Sequence, residues 1–218
     1  MLSYKAVIFD LDGTLLDTLE DLALSVNTVL REKGYKEHPV NAYRYFVGDG
    51  IDVLVQRAFP DEIAGSDHGL EQLVKAVKEE YSRRWADHTR PYPGVTDLLN
   101  FLENKKIPMA IFSNKPHEFA LLTVDKLLPE WSFFEVCGIR PGIPRKPDPH
   151  GALLISQKMK IQPGEIVYLG DTGTDMQTAK AGGFFAVGAI WGFRPAEELE
   201  REGAFMLASS PADLKKLF

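Results

Sequence analysis

Four short polar segments of the sequence carry the side chains that could do chemistry. Three of them follow apolar stretches that predict buried strands: Asp10-Leu11-Asp12-Gly13-Thr14, Ser113-Asn114-Lys115 and Gly170-Asp171-Thr172-Gly173-Thr174-Asp175. The fourth, Arg145-Lys146-Pro147-Asp148-Pro149, precedes a predicted helix in which Pro149 suits the first turn. In an open α/β sheet, ligands bind outside the carboxyl ends of the strands. The first three segments therefore lie where such a sheet places its ligands.

The acidic residues of these segments predict a cation. Carboxylates gathered at strand ends repel one another and resist burial unless a positive charge compensates them. The segments offer oxygen ligands without a Cys or His cluster, so Mg²⁺ is expected rather than zinc. Because Mg²⁺ is often bound by one or two carboxylates together with a substrate phosphate, phosphate chemistry is indicated. The Ser113 hydroxyl, backbone N–H groups near Gly13 and Asn114, and the Lys146 ammonium could hold the phosphoryl oxygens.

The elements that must position these residues are of two kinds. Lys5–Phe9 is short, apolar and β-branched, which is typical of a buried strand. Residues 16–88 have helical periodicity throughout, whereas helices and apolar strands alternate beyond the turn-rich stretch 89–94. The prediction is an α/β core with a parallel sheet, made of residues 1–15 and 89–218, and an all-helical domain of residues 16–88 inserted after the first strand.

The individual elements follow from periodicity and turn residues. Thr18 and Asp21 have the spacing of a capping box at the start of the first helix. The helical domain is predicted to hold helices over 18–33, 41–47, 51–59 and 70–86. The core prediction is helix 95–105, strand 107–113, helix 117–127, strand 134–139, helix 149–159, strand 165–169, helix 175–181 and strand 184–190.

Composition excludes several classes of protein. The 218 residues carry a net charge of −6 without a basic block, so nucleic acid is not expected as a partner. The single cysteine, Cys137, cannot form an intramolecular disulfide and favours a reduced, cytoplasmic location. No stretch reaches the ~18 apolar residues of a membrane helix, and Asp10 and Asp12 cut the apolar run Ala6–Phe9 short of a secretory signal. Monomer and homodimer both stay open.

The four polar segments, in their order along the chain, resemble the motifs of the haloacid dehalogenase superfamily. They read Asp-x-Asp-Gly-Thr, Ser-Asn-Lys, Lys-Pro-x-Pro and Gly-Asp-x-x-x-Asp, and the resemblance covers nearly the whole chain. Within the superfamily, the chain is similar to phosphatases with a helical cap inserted after the first strand. The resemblance implies a Rossmann-like core, a mobile cap and Mg²⁺-dependent phosphoryl transfer through an aspartyl phosphate.

The resemblance also implies roles for the acidic residues. Asp10 is expected to be the nucleophile and a metal ligand. Asp12 is expected to act as general acid and base and to lend its backbone carbonyl to the metal, with Asp171 as a further ligand. Two carboxylates two residues apart can take different roles because their environments separate their pKa values. Asp175 is expected to stabilise the residues that bind the metal without binding the metal itself, as well as to cap a helix.

The same resemblance assigns the phosphate-binding residues. Thr14 and Ser113 are expected to bind phosphate, together with Asn114. Lys146 is expected to neutralise charge on the nucleophile and on the phosphoryl group. Lys115 is left without an assigned role, because an exposed lysine that follows the strand would explain it without a function.

The expected substrate is a small phosphate ester. Asp12 argues against a dehalogenase, and the Gly48-Asp49-Gly50 turn and the Asn114-Lys115-Pro116 continuation resemble phosphoglycolate phosphatases, so 2-phosphoglycolate is the preferred substrate. Alternatives with related chemistry are a pyrophosphatase, a sugar-phosphate phosphatase and a β-phosphoglucomutase-like enzyme. An alternative of another class is a non-catalytic α/β binding protein. The substrate carboxylate would suit an arginine, and the candidates near the cap turn or hinge are Arg44, Arg57, Arg83, Arg84 and Arg90.

Overall fold

The computed structural model describes residues 4–218, which form two compact units. One unit comprises the chain up to Leu16 together with Pro91–Phe218, and the other is Asp17–Arg90. The first contains a six-stranded sheet with every neighbouring pair parallel, and its strands lie in the order Glu135–Ile139, Met109–Pro116, Ala6–Phe9, Ile166–Gly170, Phe185–Ala189 and Met206–Ala208. The predicted α/β class, with a Rossmann-like parallel sheet, is confirmed.

The strands and helices of the first unit alternate along the chain. The six strands are β1 Ala6–Phe9, β4 Met109–Pro116, β5 Glu135–Ile139, β6 Ile166–Gly170, β7 Phe185–Ala189 and β8 Met206–Ala208. The helices are α6 Val95–Asn104, α7 His117–Leu127, α8 His150–Met159, α9 Gly173–Gly182 and α10 Ala196–Glu202, with 3₁₀ turns at Pro163–Glu165 and Pro211–Leu217. Two short strands, β2 Leu16–Asp17 and β3 Arg90–Pro91, pair where the chain passes from one unit to the other.

Strand β1 lies in the middle of the sheet, and its register sets the position of the polar segments. Phe9 pairs with Ile111 of β4 on one side and with Leu169 of β6 on the other. The carboxyl ends of the three strands therefore lie side by side. Apolar side chains cover both faces of β1, with Phe9 in one buried cluster and Ile8 in the other.

The second unit is helical. It consists of α1 Leu19–Glu32, a 3₁₀ turn Val40–Ala42, α2 Tyr43–Phe46, α3 Ile51–Ala58, α4 Asp61–Ala64 and α5 Asp67–Arg84. The capping box predicted at Thr18 and Asp21 is wrong, because Thr18 makes no side-chain capping bond. Asp21 instead accepts hydrogen bonds from the backbone N–H groups of His88 and Thr89 and from the Thr89 hydroxyl (2.7 Å). It joins the first helix to the last segment of the unit.

Some elements lie outside the predictions. Helix α10, strand β8 and the 3₁₀ turn that follows were not predicted, nor was the short helix α4. Within residues 4–218, no helix is both long and apolar enough to cross a membrane.

Candidate active site

Three buried carboxylates meet at the carboxyl edge of the sheet. Asp10 follows β1, Asp171 follows β6, and Asp175 lies in the first turn of α9. Each offers one oxygen atom, and these three atoms lie within 4.8 Å of one another. The pairing of β1 with β6 brings Asp10 and Asp171 together, as the sequence predicted for strand ends of a parallel sheet.

A buried ammonium lies against this group. The Lys146 Nζ is 2.7 Å from Asp10 Oδ1 and 2.6 Å from Asp175 Oδ1, and only 2% of Lys146 is exposed. Burial alone would lower the pKa of Lys146, but the two carboxylates outweigh it and raise that pKa well above its usual value. Lys146 is therefore a permanent cation of the site.

One ammonium does not balance three carboxylates. Burial raises the pKa of Asp10 to about 7, and the neighbouring Asp175 charge adds to the rise. Burial and the charge of Asp10 likewise raise the pKa of Asp171 well above its ordinary value. Carboxylates gathered in this way gain from another positive charge, and an all-oxygen donor set suits Mg²⁺. The residues present therefore fit the metal that the sequence predicted.

Asp171 is held tightly by its surroundings. Its Oδ1 accepts a hydrogen bond from the Thr14 hydroxyl at 2.9 Å, and its Oδ2 accepts one from the backbone N–H of Phe193 at 2.8 Å. Gly13, at φ +90°, and Gly192 pack directly on this side chain, and a Cβ on either glycine would overlap its atoms. Thr14 is fully buried, and its hydroxyl is directed to Asp171.

Asp175 combines two structural tasks. Its Oδ2 accepts hydrogen bonds from the backbone N–H and the hydroxyl of Thr172, and the Thr172 hydroxyl in turn caps the N-terminus of α9. Its Oδ1 pairs with Lys146. The reciprocal capping box agrees with the helix-capping role predicted for Asp175, and it fixes the carboxylate that orients Lys146.

Asn114 positions the Lys146 loop. Its side-chain Nδ2 donates to the carbonyl of Lys146 at 3.3 Å, and its Oδ1 accepts from the N–H of Lys146 at 2.8 Å. A side chain that binds both backbone groups of one residue locks that residue in place. The expected phosphate contact of Asn114 would have to come from its backbone. Ser113 is buried beside it, within β4.

Lys115 is buried, and the interpretation of this residue as an exposed lysine is wrong. Its side chain is 3% exposed, and its Nζ lies 3.0 Å from Oδ1 and 3.2 Å from Oδ2 of Asp12. Strand β4 continues to Pro116 through an irregular register after Phe112, which turns Lys115 into the site. A lysine directly after a Ser-Asn motif was the available signal, but the predicted strand ended at 113.

The arginines expected to read a substrate carboxylate have partners. Arg57 forms an ion pair with Asp49 at 2.6 Å and donates to the carbonyl groups of Tyr45 and Phe46. Arg44 also has a partner. The remaining pairs are Arg83 and Arg84 with Glu80, and Arg90 with the carbonyl groups of Asp87 and Thr89.

The comparisons with known proteins agree with one another in the family and the relatives that they give. The family model described as haloacid dehalogenase-like hydrolase matches residues 7–189. The phosphoglycolate phosphatase of Pseudomonas putida KT2440 is 34% identical over 200 residues, which cover 91% of this chain and 74% of the relative. The phosphoglycolate phosphatase of Chromobacterium violaceum is 34% identical over 215 residues, which cover 98% of this chain and 96% of the relative. The crystal structure of a predicted phosphoglycolate phosphatase from Haemophilus somnus 129pt superimposes with a TM-score of 0.90 at 26% identity, covering 98% of this chain and 97% of the other.

Proposed function

The chain belongs to the haloacid dehalogenase-like hydrolases, and from that premise we propose that it is a Mg²⁺-dependent phosphatase of a small phosphate monoester, with 2-phosphoglycolate as the preferred substrate. The observation that carries the proposal is the buried group of Asp10, Asp171 and Asp175 with Lys146 among them. A non-catalytic binding protein has no need of a carboxylate nucleophile held beside a permanent cation. The relatives named phosphoglycolate phosphatases support the choice of substrate.

We propose that Asp10 and Asp171 hold Mg²⁺ through their carboxylates, with the backbone carbonyl of Asp12 as a further ligand. Asp175 supports them through Lys146 rather than by direct ligation, because both of its oxygens already accept hydrogen bonds. When bound, the metal would neutralise phosphoryl charge and orient the phosphoryl group. A metal bound there would add positive charge beside the three carboxylates, which Lys146 alone does not balance.

In the first half-reaction, a carboxylate oxygen of Asp10 attacks phosphorus. The new bond joins this oxygen to phosphorus, and the bond from phosphorus to the ester oxygen breaks. Asp12 gives its proton to the departing oxygen, which leaves as an alcohol. The ammonium of Lys146, next to Asp10, offsets the negative charge that develops on the transferred group.

In the second half-reaction, a water oxygen attacks phosphorus of the aspartyl phosphate. The bond between phosphorus and the Asp10 oxygen breaks, and Asp12 takes up the proton that water loses. Asp10 and Asp12 thus return to their starting states, and inorganic phosphate is released. Ser113 and the backbone of Asn114 are proposed to bind phosphoryl oxygens, and Thr14 contributes through Asp171.

The helical unit Asp17–Arg90 is proposed to act as a cap that takes part in substrate selection. The phosphate-binding residues Ser113, Asn114 and Lys146 recognise a phosphoryl group, which all candidate substrates share. The remainder of the substrate therefore has to be recognised by other groups.

A substrate panel tests the proposal. Phosphate release by the purified protein with Mg²⁺ is measured on 2-phosphoglycolate, pyrophosphate and a hexose phosphate, and mutase activity is measured on the hexose phosphate. We expect the highest kcat/KM on 2-phosphoglycolate. A higher kcat/KM on another compound of the panel would change the assigned substrate but would still support a phosphatase. No turnover of any ester, with an Asp10→Asn preparation giving the same background, would refute the enzyme.

A further inference from the structure

Lys115 is buried and forms an ion pair with Asp12 that the phosphoryl-transfer scheme leaves without a role. We propose that Lys115 binds the carboxylate of the leaving group and thereby selects phosphate esters that carry a carboxylate next to the ester carbon. The inference rests on the proposed function, and it adds a substrate-binding residue that the sequence interpretation had assigned to the surface.

The position of Lys115 follows from its contacts. Its ammonium is 3.0 Å and 3.2 Å from the two carboxylate oxygens of Asp12, the proposed proton donor. The departing ester oxygen must come within hydrogen-bond distance of Asp12 to receive its proton. In 2-phosphoglycolate the carboxyl carbon is two covalent bonds from that oxygen. A carboxylate placed so near Asp12 lies within reach of the same ammonium.

The charge of Lys115 acts with little screening. Its side chain is 3% exposed, and an ion pair in such surroundings is stronger than one in water. An ammonium has three N–H donors, so it can hold Asp12 and a substrate carboxylate together. Its backbone is also fixed, since its N–H donates to the Ser113 hydroxyl at 3.2 Å within β4.

Other cations have tasks of their own. Lys146 is committed to Asp10 and Asp175, and Arg194 pairs with Glu198 at 3.3 Å. The five arginines of the helical unit named above also have partners. Lys115 has a partner as well, but that partner is Asp12, the proposed proton donor, so Lys115 is the cation placed at the leaving group.

The test compares two esters that differ in the carboxylate. Steady-state kcat/KM is measured for 2-phosphoglycolate and for ethyl phosphate with the parent, Lys115→Met and Lys115→Arg. In Lys115→Met we expect the ratio of the two kcat/KM values to fall by about tenfold to a hundredfold, the scale of a hydrogen bond to a charged group. Lys115→Arg should retain part of the ratio. Lys126→Met, which removes an exposed lysine of α7, should leave the ratio unchanged.

The ratio separates the inference from simpler explanations. If Lys115 only holds Asp12, or if part of the variant is misfolded, both esters lose activity equally and the unchanged ratio overturns the inference. If Lys115→Met hydrolyses neither ester, both Kd values are measured by calorimetry with Asp10→Asn and with Asp10→Asn/Lys115→Met. Selective loss of 2-phosphoglycolate binding supports the inference, and equal binding in the two variants overturns it.

The parent protein keeps the two proposals apart. Failure of the parent to prefer 2-phosphoglycolate over ethyl phosphate contradicts the proposed substrate, whatever the variants do. A parent with that preference, combined with an unchanged ratio in Lys115→Met, contradicts the role of Lys115 alone.

Discussion

Gly192→Ala tests whether the position of Asp171 decides activity. The added Cβ would overlap the Asp171 Cβ and the carbonyl oxygen of Gly13, and it would lie 2.6 Å from Asp171 Oδ2. Ordinary contacts begin at 3.4 Å and the Asp171 Cβ would lie at 2.2 Å, so the Asp171 side chain would have to retreat by about 1.2 Å. Gly192 does not have a positive φ, so an alanine at this position adds crowding without backbone strain.

Both effects of this crowding can be estimated. Misplacement of a reacting or ligating group by about 1 Å costs roughly 100-fold in rate. Overpacking of a close-packed site costs about 1–3 kcal/mol of unfolding free energy, and each kcal/mol lowers Tm by about 2–4 °C in a protein of this size. We therefore expect kcat/KM of Gly192→Ala to fall about 100-fold and the Mg²⁺ concentration for half-maximal activity to rise.

The matched control is Gly164→Ala. Gly164 is exposed, has no positive φ, and its added Cβ would meet one backbone oxygen at 4.0 Å. This variant should match the parent in activity and should change unfolding free energy by less than about 0.5 kcal/mol. The assays are phosphate release across a Mg²⁺ titration and thermal unfolding. Gly192→Ala with activity within threefold of the parent would refute the reasoning about Asp171.

Three further predictions concern the nucleophile, the metal and the helical unit. Asp10→Asn should lower kcat by about 1,000-fold or more with an unchanged fold by circular dichroism, because an amide is a poor nucleophile; activity within tenfold of the parent would exclude Asp10 from that role. Activity should disappear with chelator, return with Mg²⁺ and be inhibited by Ca²⁺, which prefers more ligands at longer distances; full activity in excess chelator would contradict the metal proposal. Asp21→Ala should destabilise the protein by about 2–4 kcal/mol, because it leaves buried donors of His88 and Thr89 unsatisfied. Burial raises the pKa of Asp21, but hydrogen bonds from Thr89 and His88 outweigh it and lower that pKa below its ordinary value. The stabilisation is therefore present above about pH 4 and is lost as the pH falls through the folded-state pKa, so the Tm difference between parent and variant should shrink in acid and a constant difference would contradict this origin.

The sequence predicted the parts of the fold that depend on strong local patterns. Helix α7 has the predicted bounds, 117–127, because its apolar spacing and the flanking strand end both mark it. Strands β1 and β6 were found because four or five consecutive apolar residues stop at acidic residues and glycine. The same pattern located Asp10 and Asp171, whose proximity follows from parallel pairing.

The missed features depend on residues distant in sequence. Asp21 has the spacing of a cap, but its partners His88 and Thr89 lie more than sixty positions away. Lys115 is buried by its pairing with Asp12, and a single lysine in a sequence carries no sign of such a partner. Strand β8 has three residues, too few for a periodicity, and it exists because β7 offers an open edge.

The central place of β1 has a consequence for the order in which the protein acquires its activity during synthesis. Ala6 and Val7 leave the ribosome before their partners, which are Ile166 in β6 and Met109 in β4. Bringing such distant strands together carries a loop-closure entropy cost, and contacts of this range slow folding. The nascent chain therefore holds β1 unpaired on both sides while the helical unit, whose contacts are nearer in sequence, is made. The buried group of Asp10, Asp171 and Asp175 therefore forms only after β6 and the first turn of α9 have been made.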